Sequence, residues 1–550
     1  MVEKVVVANR GEIAARIFRT CRRLGIATVA LAPPDDRRAF HTRRADEVHE
    51  IESYLSVASI VAAARAARAD AVHPGYGFLA ESAELAEAVA EAGLVWIGPP
   101  PRVLRAAGDK LESKRVAEAA GVPVVPTGSP DEVGYPLLVK AAAGGGGRGM
   151  RIVRSRGELD EALEAARREA KAGFGDERVF LERYIARPRH VEIQVLADRE
   201  GRTIDLGERE CSIQRRYQKL LEESPSPALD AVLRADMAGA AIDLARALRY
   251  ENAGTVEFIL DEAALTTQDA SDSRPSFYFL ELNARIQVEH AVTELVTGTD
   301  LVEQQLRIAT GAPLALRSQE PSGHAVEVRL YAEDPRTFLP RSGRVEGLSL
   351  PAGVRVDAGV EPGDDVPLGY DPLLAKLIAA GETREKALER LSRALAETEV
   401  DGVTTNAALL RWLVRHPDVR AGRTTTRFLD EHPPLSRYVS VPRPWNGYWR
   451  LNRDRGAPPP PPTPPPSPEA AARPGDGGGD RAVTAPMPGT VIRVLAHEGE
   501  RVEARQPLVV LEAMKMETPL LSPFEARVRR VHVAEGDQVR GGAVMVELEE

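Results

Sequence analysis

One stretch near the middle of the chain, Glu281-Leu282-Asn283-Ala284-Arg285-Ile286-Gln287-Val288-Glu289-His290, alternates polar and apolar side chains. In an extended strand this puts Glu281, Asn283, Arg285, Gln287 and Glu289 on one face and Leu282, Ala284, Ile286 and Val288 on the other. A plain half-buried strand alternates in the same way. The polar row here, however, combines carboxylates, amides and a guanidinium, a set that can hold Mg²⁺ and oxyanions together. A second apolar run, Thr255-Val256-Glu257-Phe258-Ile259-Leu260, isolates Glu257. A carboxylate in such surroundings needs a partner. A divalent cation shared by Glu257 and Glu281 would supply it, as at many nucleotide sites.

The elements that must position these groups can be read from periodicity. Val5-Val6-Val7 reads as a buried strand, Ile13, Ile17, Phe18, Cys21 and Leu24 recur at helical spacing, and Thr28 to Leu31 resumes strand character. Such a βαβ unit implies a parallel sheet. The turn between strand and helix, Ala8-Asn9-Arg10-Gly11-Glu12, lacks G-x-G-x-x-G and speaks against a dinucleotide fold. His73-Pro74-Gly75-Tyr76-Gly77-Phe78 marks a loop at a strand end, where ligands gather in open α/β sheets.

Glycines 144–147 stand between Tyr135-Pro136-Leu137-Leu138-Val139-Lys140 and Met150-Arg151-Ile152-Val153. Strand-like flanks on both sides predict a hairpin flap whose N–H groups close over phosphates, with Lys140 adding a cation; the other reading is a linker. Arg189 to Leu196 and His324 to Tyr331 alternate as strands and carry His190 and Arg329, while Glu210 to Lys219 concentrates basic side chains that suit an anion. An amphipathic helix is predicted from about Arg384 to Glu397.

The chain of 550 residues is too long for one core. Its net charge of -10 speaks against a dedicated nucleic-acid binder. Cys21 and Cys211 have neither disulfide-framework nor zinc-site spacing, which fits a reducing compartment. With no secretory pattern at the N-terminus and no apolar run of membrane-spanning length, the expectation is a cytoplasmic protein without a membrane partner.

From about Gly456 to Asp480 the composition changes to proline and then glycine, which describes a tether between folded bodies. Beyond it, Val491 to Glu512 aligns with Val528 to Glu549, with Gly499 matching Gly536 and Val502 matching Val539. Two similar halves predict a small pseudo-symmetric β sandwich. Between them, Glu512-Ala513-Met514-Lys515-Met516-Glu517 is expected to be a hairpin tip presenting Lys515, in a sequence unlike ordinary turn chemistry.

Ala-Met-Lys-Met at 513–516 resembles the biotin attachment motif, and the body before the tether resembles biotin carboxylase, an ATP-grasp enzyme. The resemblance rests on Asn9 to Ile13, His73 to Phe78, Gly108-Asp109-Lys110, the glycine flap, Arg189 to Glu192, Cys211 to Lys219 and Glu281 to His290, and covers about residues 1–445 and 483–550. It implies an α/β protein: an N-terminal α/β domain over 1–110, an ATP-grasp domain over 111–318, a C-terminal carboxylase domain over 319–450, a linker over 451–482 and an all-β biotinyl domain over 483–550. The architecture resembles the α subunit of a bacterial acyl-CoA carboxylase, with fatty-acid metabolism as the setting.

By motif, the resemblance implies that Lys110, Lys140, Gly146, Gly147, Glu182, His190 and Gln214 contact ATP, and that Glu257, Glu281 and Asn283 hold Mg²⁺ or Mn²⁺. Lys219, Arg285, Gln287 and Val288 would hold bicarbonate, Glu289 would be the base and Arg329 would stabilise the biotin enolate. Lys515 would carry biotin. Implied partners are a carboxyltransferase β subunit, a biotin protein ligase and a second copy through the carboxylase head.

Tyr217 departs from the family, many members of which have histidine there. So does the interval before the carrier, which lacks the docking domain of several α subunits. Residues 261–276 are longer than expected between two strands and read as a hairpin excursion. Two other functions fit parts of the pattern: an ATP-grasp amide or carbamate ligase with a lipoyl-like module, and a non-catalytic carrier with a nucleotide-sensing head. Met514 and Met516 beside Lys515 disfavour the first, and the intact set of Lys219, Glu257, Glu281, Arg285, Glu289 and Arg329 disfavours the second.

Overall fold

The structure, a computed structural model, describes residues 2–142, 150–174, 176–215, 217–262, 276–335, 338–433, 482–485, 489–513, 516–540 and 542–549. It divides into two compact units, Met1–Pro434 and Leu435–Glu550. Among the described residues no helix is long and apolar enough to cross a membrane.

The first unit opens with the expected parallel sheet. Strands β1 (Lys4–Val7), β2 (Ala27–Ala32), β3 (Glu47–Glu50), β4 (Ala71–His73) and β5 (Val95–Trp96) lie in the order β3-β2-β1-β4-β5. Helix α1 (Gly11–Arg23) joins β1 to β2 and buries Ile13, Ala14, Ile17, Phe18 and Cys21, the spacing that had marked it as amphipathic. The strand order reverses between β1 and β4, the crevice where open sheets bind ligands. There Asn9 donates through Nδ2 to the carbonyls of Pro74 (2.8 Å) and Tyr76 (2.7 Å), tying the two strand-end loops together.

Strand β6 (Leu137–Ala141) pairs antiparallel with both β7 (Arg151–Val153) and β8 (Val179–Arg183). The flanks of the expected flap therefore pair as a hairpin; Gly146, Gly147 and the rest of 143–149 lie outside the described residues.

An antiparallel sheet forms the centre of the unit. Its strands are β9 (Pro188–Ala197), β10 (Thr203–Arg215), β11 (Gln218–Ser224), β12 (Asn252–Asp261), β13 (Phe277–Asn283), β14 (His324–Tyr331), β15 (Arg355–Ala358) and β16 (Leu373–Gly381). They lie in the order β13-β12-β9-β10-β11-β14-β16-β15. Helix α2 (Ala231–Ala247) packs Met237, Ala241 and Leu244 against Val191, Ile193, Val256 and Phe258. Helix α3 (His290–Thr297) buries Ala291, Val292 and Val296 with Ala325 and Ile378. The helix expected from about Arg384 is present as α4 (Arg384–Glu397), capped by the Thr383 hydroxyl.

The β12–β13 pairing contains a bulge: Phe279 pairs with Phe258 and Glu281 with Glu257, leaving Leu280 without a cross-strand partner. Phe277 and Phe279 lie in the core before it, Leu282 and Ala284 after it. The expectation of one continuous strand through Glu289 is corrected here, because β13 ends at Asn283 and the chain turns into α3 at His290. The apolar positions Ala284 and Ile286 are nonetheless buried beyond the strand end, in two different cores, and the polar Gln287 and Glu289 are buried with them. The excursion at 263–275 lies outside the described residues.

The second unit contains two four-stranded antiparallel sheets. Strands Gly489–Val494 and Pro507–Ala513 pair in one, and their sequence equivalents Ala526–Val531 and Val544–Glu549 pair in the other. Each half lends a short strand to the other half's sheet, Arg501–Val502 to Ala526–Val531 and Gln538–Val539 to Gly489–Val494. The symmetry extends to individual bonds. Val494 N–H donates to Glu535 at 3.3 Å, and Val531 N–H donates to Glu498 at 3.3 Å. Gly499 (φ +85°) and Gly536 (φ +93°) occupy equivalent left-handed turns, where glycine has no Cβ penalty. Ala513 pairs with Met516 across the expected hairpin, while Lys515 itself lies outside the described residues.

Candidate active site

Strands β9, β12 and β13 set three carboxylates level with one another: Glu257 is the cross-strand partner of both Glu192 and Glu281. Such a row inside a protein is tolerable only if opposite charge meets it. Lys219, on β11, reaches Glu192 at 2.6 Å, Glu257 at 2.8 Å and Glu289 at 2.5 Å. Arg209, fully buried on β10, holds the other Glu192 oxygen at 2.5 Å and bonds Gln194, Thr255 and Thr293.

These neighbours decide the charge states. Burial works against an ionised Glu257, yet Lys219 and His190 together hold its pKa well below the usual carboxylate range. Burial likewise opposes Glu289, and Lys219 and Arg329 depress it nonetheless. Glu281 goes the other way: burial first, and then the Glu257 charge, push its carboxyl up, with Lys110 only partly compensating. Glu281 is thus short of positive charge, and beside it Asn283 offers a side-chain oxygen, which here accepts from Arg285 at 2.8 Å. These residues fit a divalent cation by donor type and by charge.

Next to Glu281 a cavity of about 180 Å³ is lined by Glu81, Gly108, Lys110, Ser113 and Asn283. Burial lowers the Lys110 pKa. Lys140 pairs with Glu182 at 2.9 Å, and Lys114 holds the other Glu182 oxygen. His190 Nε2 lies 2.9 Å from Glu257, and Gln214 Nε2 lies 2.6 Å from His190 Nδ1. Among the expected nucleotide contacts, Lys140 with Glu182 and His190 with Gln214 are therefore in contact.

The segment between β13 and α3 supplies the other wall. Arg285 donates to Asn283 at 2.8 Å and to Gln287 at 2.7 Å, and Gln287 donates to Glu257 at 3.0 Å. Lys376, fully buried on β16, donates to the Val288 carbonyl at 2.6 Å. Arg329 reaches Glu289 through Nη2 at 3.0 Å and Glu222 through Nε at 2.6 Å. The expected base, the expected cations and the carboxylate row thus form one continuous charge network.

Tyr217 is about half exposed at the β10–β11 turn, in the left-handed region with φ +66°, and nothing in the structure gives it a role. Sequence reasoning missed Lys114, Arg209, Glu222 and Lys376, and quoted Glu12 and Glu192 without assigning them roles. Lys376 carried a legible signal, a lone charge in the apolar run Leu373 to Ile378, the same signal that had marked Glu257.

Comparison with known proteins matches four segments of the chain. Residues 1–104 match the family described as biotin carboxylase, N-terminal domain, residues 109–317 the carbamoyl-phosphate synthase L chain ATP-binding domain, and residues 327–431 the biotin carboxylase C-terminal domain. Residues 481–548 match a family described as biotin-requiring enzyme. Biotin carboxylase 2 of Bacillus subtilis is 45% identical over 454 residues, 78% of this chain and 100% of the relative. The mitochondrial methylcrotonoyl-CoA carboxylase subunit alpha of Arabidopsis thaliana is 45% identical over 455 residues, and the alignment covers 78% of this chain and 61% of that relative's length. Among solved structures, the biotin carboxylase domain of Hydrogenobacter thermophilus 2-oxoglutarate carboxylase, in complex with MgADP, ADP and bicarbonate, superimposes with a TM-score of 0.75 at 42% identity, covering 79% of this chain and 98% of that one. The chain belongs to the biotin carboxylase family, with an ATP-grasp head followed by a biotin-lipoyl domain.

Proposed function

We propose that the head uses ATP and bicarbonate to carboxylate a biotin attached at Lys515 of its own C-terminal domain, and that a separate carboxyltransferase passes the carboxyl group to an acyl-CoA. The observation that carries this reading is the ionised Glu289 clasped between Lys219 and Arg329, in a site whose Glu281 is short of positive charge.

Bicarbonate is a poor electrophile and must be activated by phosphoryl transfer, which requires positioning and charge neutralisation. Glu289 is the base that takes its proton, and Lys219, Arg285, Gln287 and the Val288 backbone orient it. Lys110, Lys140, Gly146, Gly147, Glu182, His190 and Gln214 bind the nucleotide. Mg²⁺ held by Glu257, Glu281 and Asn283 would neutralise charge on the transferring phosphoryl group. Arg329 supplies positive charge for the ureido oxygen of biotin, and phosphate released from carboxyphosphate accepts the ureido proton. A biotin protein ligase would modify Lys515, and the head would pair with a second copy.

The test combines mass and rate. Protein co-expressed with a biotin ligase is expected to carry one biotin adduct, lost in Lys515→Ala. Its ATP cleavage is expected to need bicarbonate and to rise with free biotin. An adduct that survives Lys515→Ala, or cleavage indifferent to bicarbonate and biotin, overturns the reading.

A further inference from the structure

Behind the Arg329–Glu289 pair lies a carboxyl group that nothing in the mechanism uses. Glu327 is fully buried on β14, and neither of its oxygens has a hydrogen-bond partner. Its cross-strand partner on β11 is Glu222, also fully buried, whose Oε2 is likewise unpartnered while Oε1 accepts from Arg329. Directly opposed residues of an antiparallel pair have Cβ atoms about 4.5–5.5 Å apart, so the two carboxyl groups are within reach of each other.

The charged groups facing Glu327 come from every element around it. Arg329 lies two residues along its own strand, Glu222 comes from β11, and Lys376 comes from β16, in register with Arg329. Glu289 comes from the start of α3, where the neutral, buried His290 lies near Lys376, and Glu12 of α1 lies 3.5 Å from Lys376. The two cations nearest Glu327, Arg329 and Lys376, are the ones that hold Glu289 and the Val288 carbonyl. An ionised Glu327 would compete for both. Two opposed carboxylates with three of their four oxygens unpartnered are relieved most simply by retaining one proton.

We propose that Glu327 is a positioning residue that holds a proton shared with Glu222, and that this proton keeps Arg329 and Lys376 directed at the Val288–Glu289 corner. Burial, the largest influence, pushes the Glu327 carboxyl well up, and it raises Glu222 to about 7. The inference rests on the proposed function for its kinetic consequence, although the proton itself can be observed without turnover.

Infrared difference spectroscopy of the whole chain at pH 7, wild type against Glu327→Gln, is expected to show the carbonyl band of a protonated carboxylic acid that only the wild type has. In bicarbonate-dependent ATP cleavage with free biotin, wild-type kcat/KM for biotin is expected to fall as the shared proton is lost at alkaline pH. Glu327→Gln, which cannot lose that proton, moves this limb up by a pH unit or more. Glu327→Ala is expected to lose at least tenfold in kcat/KM at pH 7, and the Gln variant to recover most of it. No band difference, or an unchanged alkaline limb, overturns the proposal. A wild type that lacks biotin-dependent cleavage but shows the band would instead count against the proposed function.

Discussion

Lys219 Nζ stands 2.5 Å from Glu289 Oε1 and at the same time within hydrogen-bonding distance of Glu192 and Glu257. One ammonium thus serves three carboxylates from two strands and a helix entrance. Breaking a buried pair by removing one partner is strongly destabilising, by about 3–5 kcal/mol. Lys219→Met is therefore expected to lower the unfolding free energy measured by urea titration by an amount of that order, with the midpoint falling accordingly, and Mg²⁺ to recover part of the loss. A midpoint equal to the wild type's would show that the carboxylates do not depend on Lys219.

Glu289→Gln removes the base but keeps the shape of the side chain and leaves Glu257 and Glu281 in place. General-base catalysis contributes about 10²–10⁴-fold. Biotin-dependent ATP cleavage is expected to fall by that factor, with nucleotide affinity within a few-fold of the wild type. Turnover that stays within a few-fold would assign the base elsewhere.

Glu12 offers a test of stability against pH. Burial, the largest influence on it, raises its carboxyl from 4.5 to about 7 despite Lys376. The folded chain then binds this proton more tightly than the unfolded chain does. Its stabilising contribution is fully present below about 4.5 and is lost as pH rises through about 7. The difference in unfolding free energy between wild type and Glu12→Gln should fall by roughly 3 kcal/mol across that window, at about 1.4 kcal/mol per pH unit. Parallel stability curves for the two proteins would refute the assignment.

The tether is tested by shortening it. Deleting Pro458 to Pro466 removes a stretch that extends about 3.1 Å per residue as polyproline. Effective concentration collapses once a linker cannot span its sites. Cleavage of ATP with free biotin is expected to hold, while overall acyl-CoA carboxylation with the carboxyltransferase supplied falls. Unchanged overall carboxylation would mean that the proline run does not set the carrier's reach.

Much of the fold was legible because burial imposes its period on the sequence: Val5 to Val7, Arg189 to Leu196, Thr255 to Leu260 and Arg384 to Glu397 all form the elements their patterns describe. The stretch Glu281 to Glu289 misled because Ala284 and Ile286 are buried in separate cores, which keeps apolar residues at alternate positions of the sequence after the strand has ended. The partners of buried charges were less accessible to sequence. Glu192 meets Arg209 and Lys219 only because β9 lies between β12 and β10, and Glu222 meets Glu327 only because β11 lies beside β14, and neither adjacency is written locally.

The unpaired Leu280 acts as a phase shifter within β13. Odd-numbered Phe277 and Phe279 face the core before it, and even-numbered Leu282 and Ala284 after it, so a single strand reads in two frames. Because strand side chains repeat every two residues, removing that one residue without compensation would put the acidic frame into the core or the aromatic frame out of it. The level row of Glu192, Glu257 and Glu281 is thus set by the count of residues between Phe279 and Glu281 as much as by the identity of the acids, and an insertion or deletion there would erase the row while leaving every acid in the sequence.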